Sequence, residues 1–186
     1  MKKLMSLLLV MSLVFGFTLP VLAEPDPIKV GVILPLSGSN SSQGAQSRRA
    51  IEMALQEIND AGGIESMGGA KIEIIWADTE STPATAVSEA ERLINQEGVQ
   101  IVTGAYHSAV TLAASEVTER YGVPWFSPVS SDDSITQREG YRYIFRMPEK
   151  TSWRAVQYLN YLDEMCAATG EEVKTVGFVY ENTGFG

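Results

Sequence analysis

The chain has one cysteine, Cys166, and one histidine, His107. No internal disulfide can form, so stability must come from packing. A His/Cys zinc cluster is excluded as well. Basic residues are scarce: 14 Lys and Arg stand against 23 Asp and Glu, a formal charge of −9. An acidic surface disfavours nucleic acid and anionic membrane as partners. No G-x-G-x-x-G turn and no Walker A loop occurs, which removes the usual signatures of a nucleotide enzyme. No G-x-S-x-G elbow surrounds any serine, and no cofactor is expected.

Only one long apolar run is present, and it opens the chain. Lys2 and Lys3 precede "LMSLLLVMSLVFGF", and "VLA" ends at Ala23. The run is shorter than the ~20 residues a spanning helix needs. Residues 1–23 therefore read as a signal peptide with a peptidase site, which predicts export to the periplasm or another extracytoplasmic space. Its removal takes two more positive charges from an already acidic chain. Residues 24–186 are long enough for one good core.

From there strands and helices alternate. "IKVGVILP" (28–35), "KIEIIWAD" (71–78), "VQIVTG" (99–104), "VPWFSP" (123–128), "YRYIFRM" (141–147) and "KTVGFVYE" (174–181) read as strands. The first helix carries Ile51, Leu55 and Ile58 at helical spacing and ends at "NDAGG". Pro83 opens the second, with Ala86, Val87, Ala90, Leu93 and Ile94 on its inner stripe. The third runs over 109–120, and the fourth carries Trp153, Val156, Leu159 and Leu162. Strands separated by helices of this length predict an α/β fold: a doubly wound parallel sheet with right-handed connections. Trp76 and Trp125 read as core, and Trp153 as packed beneath its helix. The chain stops in "YENTGFG", where a further helix is expected, and so reads as a truncated one.

Ligands of open α/β sheets bind beyond the carboxyl ends of the strands. Attention therefore falls on "LSGSNSSQG" (36–44), "DTEST" (78–82), "AYHSA" (105–109), "PVSSDDS" (128–134) and "ENTGFG" (181–186). Asp78 stands where a ribose-binding acid would stand, but equally where an acid would cap a helix or bond a loop. Ser108 beside His107 lacks the setting of a hydrolase nucleophile. At a helix start, Ser108 could be an N-cap, or it could hold a carboxylate together with free backbone N–H groups. Across the cleft, the Val129 carbonyl and the Ser131 hydroxyl could accept bonds from an ammonium group. Asp132, Asp133 and Glu181 read as a solvated rim.

Six segments in order resemble the amino-terminal part of bacterial periplasmic binding proteins for branched-chain amino acids, the solute receptors of ABC importers. They are "IKVGVILPLSG", "AIEMALQEINDAGGI", "ADTESTPATAVSEAERLI", "VPWFSPVSSDDSIT", "YIFRM" and "GFVYENTGFG". The resemblance implies a type I periplasmic binding fold, of which residues 24–186 are lobe 1, a three-layer α/β/α unit. Most of the second lobe is then missing, with 174–186 as its possible start. It implies no enzymatic activity. It implies instead an amino acid or related small polar solute bound between two closing lobes, an inner-membrane ABC permease as partner, and a monomer or weak dimer. A ligand-sensing receptor domain of the same fold is the alternative.

In that family a serine after the third strand holds the α-carboxylate, and Ser108 matches it. The carbonyl after the S-P pair and a hydroxyl two residues on hold the ammonium; these match Val129 and Ser131. Phe185 and Gln43 fall where the family's side-chain wall stands, with different residue types from the best-known leucine binder; Tyr106, also expected to bind the ligand, departs from that binder as well. His107 departs from that binder too.

Overall fold

The computed structural model describes residues 24–183 and Phe185; the proposed signal peptide, 1–23, lies outside the described residues. Five strands form one sheet: β1 (Ile28–Leu34), β2 (Ile72–Asp78), β3 (Ile101–Gly104), β4 (Trp125–Ser127) and β5 (Ile144–Arg146). Their order is β2-β1-β3-β4-β5, and every pairing is parallel. The α/β architecture expected from the alternating pattern is present, and the order turns back between β1 and β3. Among the described residues four α-helices accompany the strands: α1 (Ser41–Asp60), α2 (Pro83–Asn95), α3 (Ser108–Tyr121) and α4 (Thr151–Thr169).

The core lies on one face of the sheet. Ile33, Ala77, Val102 and Trp125 point to it, and Ala86, Ala90 and Leu93 of α2 and Val110, Ala114 and Val117 of α3 close over them. Local signals agree with this packing. Pro83 occupies the first turn of α2, and the Thr82 hydroxyl caps it by accepting from the Thr85 N–H. That start suits a residue without an N–H of its own.

The opposite face is only partly covered. Parallel sheets are ordinarily packed on both sides. Here α1 stands over β1 and β2, leaving an apolar groove of about 430 Å³ between Ile51, Leu55 and Ile58 and the sheet residues Val30, Val32 and Ile74. Trp76 is half-buried on this face under the Arg48 guanidinium, 4.8 Å from the ring centre, rather than in the core as expected. Further along, Thr103, Phe126 and Phe145 share a register row. Phe126 and Phe145 stack at 5.2 Å and are 40% and 46% exposed. Among the described residues, the three-layer expectation thus holds over β1 and β2 and not over β4 and β5.

Other expectations are corrected. Helix α1 begins at Ser41, so the first loop is four residues shorter than read. Ser41, Ser42 and Gly44 are weak helix formers, but Gly44 lies so near the Pro35 carbonyl that a Cβ would sit 2.0 Å from its oxygen. The close approach of β1 to this turn, not propensity, sets the start. Residues 174–181 form no strand, and Phe178, Val179 and Tyr180 are largely exposed. A strand needs a neighbour to take its N–H and C=O groups, and the described residues supply none. Helix α4 buries no residue. Trp153 is 56% exposed with the Lys150 ammonium 4.8 Å above its ring, not packed beneath the helix.

Candidate functional site

A cavity of about 520 Å³ opens at the carboxyl ends of β1, β3 and β4, beside the turning point of the strand order. Open α/β sheets bind ligands in that crevice. Tyr106, His107, Ser108 and Ala109 line it from the β3 loop and the first turn of α3. Val129, Ser130 and Ser131 line it from the β4 loop, and Asn40 from the β1 loop. Arg154, Glu181, Thr183 and Phe185 complete the rim.

Ser108 is the first residue of α3, and His107 holds the N-cap position without a capping side-chain bond. Ser108 is therefore not the cap. Its hydroxyl is nearly buried and accepts from the Asp132 N–H at 3.4 Å, joining the two loops across the cavity floor. A second hydroxyl chain reinforces the join. Thr111 and Ser130 lie 2.7 Å apart, oxygen to oxygen, and the Ser130 hydroxyl donates to the Tyr106 carbonyl at 3.4 Å.

The Ser131 carbonyl accepts from three donors on residues that do not line the cavity. These are Arg146 Nη1 at 3.1 Å, the Thr151 N–H at 2.9 Å and the Thr151 hydroxyl at 3.1 Å. Arg146 also reaches the Asp132 carbonyl and the Thr136 hydroxyl. Burial pulls this guanidinium below its usual value, against the opposing attraction of Asp133 and Asp132. The aspartates lie at a partly exposed rim, as read from the sequence, and each also holds a nearby serine. The Asp132 carboxylate accepts from the Ser134 N–H and hydroxyl. Asp133 does the same for Ser152 at the start of α4, and the Ser152 hydroxyl and N–H hold its carboxyl below the usual range.

Two expected contributors are not brought to the cavity. Gln43 lies in the first turn of α1, where its amide oxygen accepts from Ser42, and it is not among the lining residues. Asp78 is also elsewhere. Its Oδ1 accepts from the N–H groups of Leu36, Ser37 and Glu80 at 2.9, 3.1 and 2.9 Å. Burial pushes this carboxyl up, but the Ser37 hydroxyl and those three amides together outweigh burial and hold it below its ordinary value. Asp78 thus ties the β1 loop to the β2 loop.

Asp78→Ala leaves three donors without that acceptor and is expected to destabilise the fold by about 1–3 kcal/mol in urea unfolding. Because the folded-state value is lowered, the stability contributed by Asp78 is present above the unfolded carboxyl's range. It disappears as pH falls through the lower folded value. The wild-type advantage over the variant should therefore shrink on acidification; an advantage that grows would exclude this role.

Asn40, His107 and Arg154 line the cavity, but sequence reasoning did not count them as binding residues. For Asn40 a signal existed: an Asn followed by serines is a helix-start pattern, and a start at Ser41 places Asn40 at the loop's inner end. Arg154 lies one turn into a helix, where loop-based reasoning does not look.

A parallel α/β sheet with a cavity among its strand-end loops, lined by hydroxyl and main-chain groups, is where open α/β folds hold small ligands. The chain belongs to the periplasmic binding protein family, whose model matches residues 27–186. This family consists of solute-binding transport proteins rather than enzymes.

Among curated relatives, Leu/Ile/Val-binding protein homolog 8 of Brucella abortus is 35% identical over 162 residues, 86% of this chain and 39% of that protein. An amino acid binding protein of Pseudomonas aeruginosa is 32% identical over 180 residues, 97% of this chain and 45% of that protein. The chain thus spans less than half the length of these relatives. Among solved structures, the branched-chain amino acid transporter substrate binding protein LivJ of Streptococcus pneumoniae, in complex with isoleucine, aligns with a TM-score of 0.61 at 34% identity. That alignment covers 67% of this chain and 34% of LivJ. An ABC transporter substrate-binding protein of Desulfitobacterium hafniense, in complex with Leu, aligns with a TM-score of 0.66 at 28% identity, covering 75% and 39%.

Proposed function

We propose that this chain is part of an extracytoplasmic solute-binding component of an ABC importer, exported through the signal peptide at 1–23. It takes an α-amino acid or a closely related solute and delivers it to an inner-membrane permease. The observation that carries this reading is the convergence of Ser108, Val129 and Ser131 on one cavity at the strand ends.

The α-carboxylate is received at the start of α3. There the Ser108 hydroxyl donates to it while free main-chain N–H groups and the positive end of the helix favour an anion. The α-ammonium donates to the Val129 carbonyl and to the Ser131 hydroxyl. Arg146 and Thr151 hold Ser131 in one orientation through its carbonyl, and its hydroxyl oxygen, which already accepts from the Thr151 hydroxyl at 3.3 Å, keeps one lone pair for the ammonium. Phe185 and Tyr106 form walls for the solute's side chain. Relatives named for Leu, Ile and Val or for amino acids support the solute class, and residues beyond 186 in a longer protein would supply the second wall of the cleft.

The test is a thermal-shift series on the full-length protein against the twenty amino acids and several simple amides. A ligand that binds the folded state raises its melting temperature. A rise confined to compounds with free α-amino and α-carboxyl groups is the expected result, and the absence of any rise in folded protein would overturn the proposal. Ser108→Ala removes a hydrogen bond to a charged group and should weaken binding by roughly 1.5–3 kcal/mol, measured by calorimetry. Unchanged affinity would remove Ser108 from the site.

A further inference from the structure

The wall of the cavity facing the β1 loop contains a chain of three side chains whose hydrogen positions can be deduced. His107 Nε2 lies 2.9 Å from Asn40 Oδ1, and the Ser39 hydroxyl donates to the same Oδ1 at 2.9 Å. His107 Nδ1 is buried and has no hydrogen-bond partner. A buried N–H without an acceptor is rarer and more costly than a buried lone pair without a donor. The ring therefore carries its hydrogen on Nε2, where Asn40 receives it. This decides the orientation of the Asn40 amide, because only its oxygen can accept from Nε2–H. The Oδ1 atom then has both lone pairs engaged, and the group left to Asn40 is its NH₂, a donor only. Among the described residues no bond engages Nδ2, while Asn40 lines the cavity.

The charges nearby restrict what that donor can meet. Arg154 is committed to Glu149, at 3.0 and 2.8 Å. Glu181 brings an acid to the rim. A second carboxylate on the solute would find the repelling acid of Glu181 and an Arg154 whose charge is already balanced by Glu149, whereas a neutral carbonyl oxygen would find the Asn40 donor.

Building on the function proposed above, we propose that Asn40, oriented by His107, selects amino acids whose side chain carries a neutral carbonyl acceptor, an amide of the glutamine or asparagine type. Purely aliphatic side chains leave the Asn40 NH₂ desolvated and unpaired, a cost that discriminates better than missing apolar contact does.

The experiment measures the affinities of the full-length protein for glutamine, glutamate and norleucine, in wild type and in Asn40→Leu and Asn40→Asp. Wild type should prefer glutamine to both others. Each variant should lower the glutamine-to-norleucine ratio about tenfold, the scale of one neutral hydrogen bond. An unchanged ratio, or an equal loss for both solutes, would overturn the inference while leaving the amino-acid reading in place. Failure of every amino acid to bind would remove both. A long-range ¹⁵N–¹H spectrum of the imidazole, identified with His107→Gln, gives a readout independent of affinity. The hydrogen is expected on Nε2, and a hydrogen on Nδ1 would overturn the orientation assigned to Asn40.

Discussion

Gly104→Ala is expected to cost roughly 3–5 kcal/mol, combining backbone strain of ~1–3 kcal/mol with overpacking of similar size. Gly104 ends β3 with φ +113, a region that L side chains rarely enter. A Cβ there would lie 2.1 Å from the Ile33 carbonyl oxygen. That oxygen cannot simply withdraw, because it accepts the Ala105 N–H at 2.7 Å, the bond that fastens the β3 loop to β1. The variant must therefore part β1 from β3 at the cavity or twist residues 105–108 out of place. Domain stabilities are ~5–15 kcal/mol, so a large share of the total is at stake. Urea unfolding of full-length wild type and variant measures it. Solute affinity should fall too, since Ser108 lies just beyond the distorted turn. A midpoint shift equivalent to less than about 1 kcal/mol would show that the close approach is not rigid.

Trp125→Ala is the second large effect, expected at about 3–5 kcal/mol. Trp125 is fully buried at the middle of the core, with its register partners Val102 and Ile144 on either side. The surroundings cannot collapse freely into the space left, because α2 and α3 are already packed together above it through small residues such as Ala86, Ala90 and Ala114. The indole N–H is itself buried without a partner, so a small part of the loss is returned when it is removed. Trp125→Phe keeps most of the volume without that N–H and should recover more than half the stability. Equal losses for Ala and Phe would mean that the nitrogen, not the volume, matters.

The sheet was readable because each strand is a compact apolar run closed by Gly, Pro or a polar loop, with a helical period between runs. The same signal misled at 174–181. An apolar run states that a segment wants burial, not where its neighbours are, and no described strand is placed to pair with it. The helix α4 stripe failed in the same way: Val156 and Leu159 are at helical spacing but more than half exposed.

The place of Ser108, Val129 and Ser131 at the cavity was legible because they sit at strand ends, where parallel topology gathers loops. Gln43 was misplaced because α1 begins earlier than its weak helix formers suggest. The role of Asp78 stayed open, and the serine partner of Asp133 went unseen, for a more general reason. A carboxylate in a loop looks the same in sequence whether it faces solvent, a solute or the chain's own N–H groups. Only the third dimension shows Asp78 collecting three of them.

The three donors on the Ser131 carbonyl have a mechanical consequence. Two of them belong to Thr151, the root of a 19-residue helix that makes few contacts elsewhere. At ~1.5 Å per residue such a helix is about 28 Å long. A tilt of ~10° at its root would carry its far end through about 5 Å. The residue proposed to touch the solute's ammonium thus also anchors the root of a long helix, so the orientation of Ser131 and the direction in which that helix leaves the cavity are set by the same bonds.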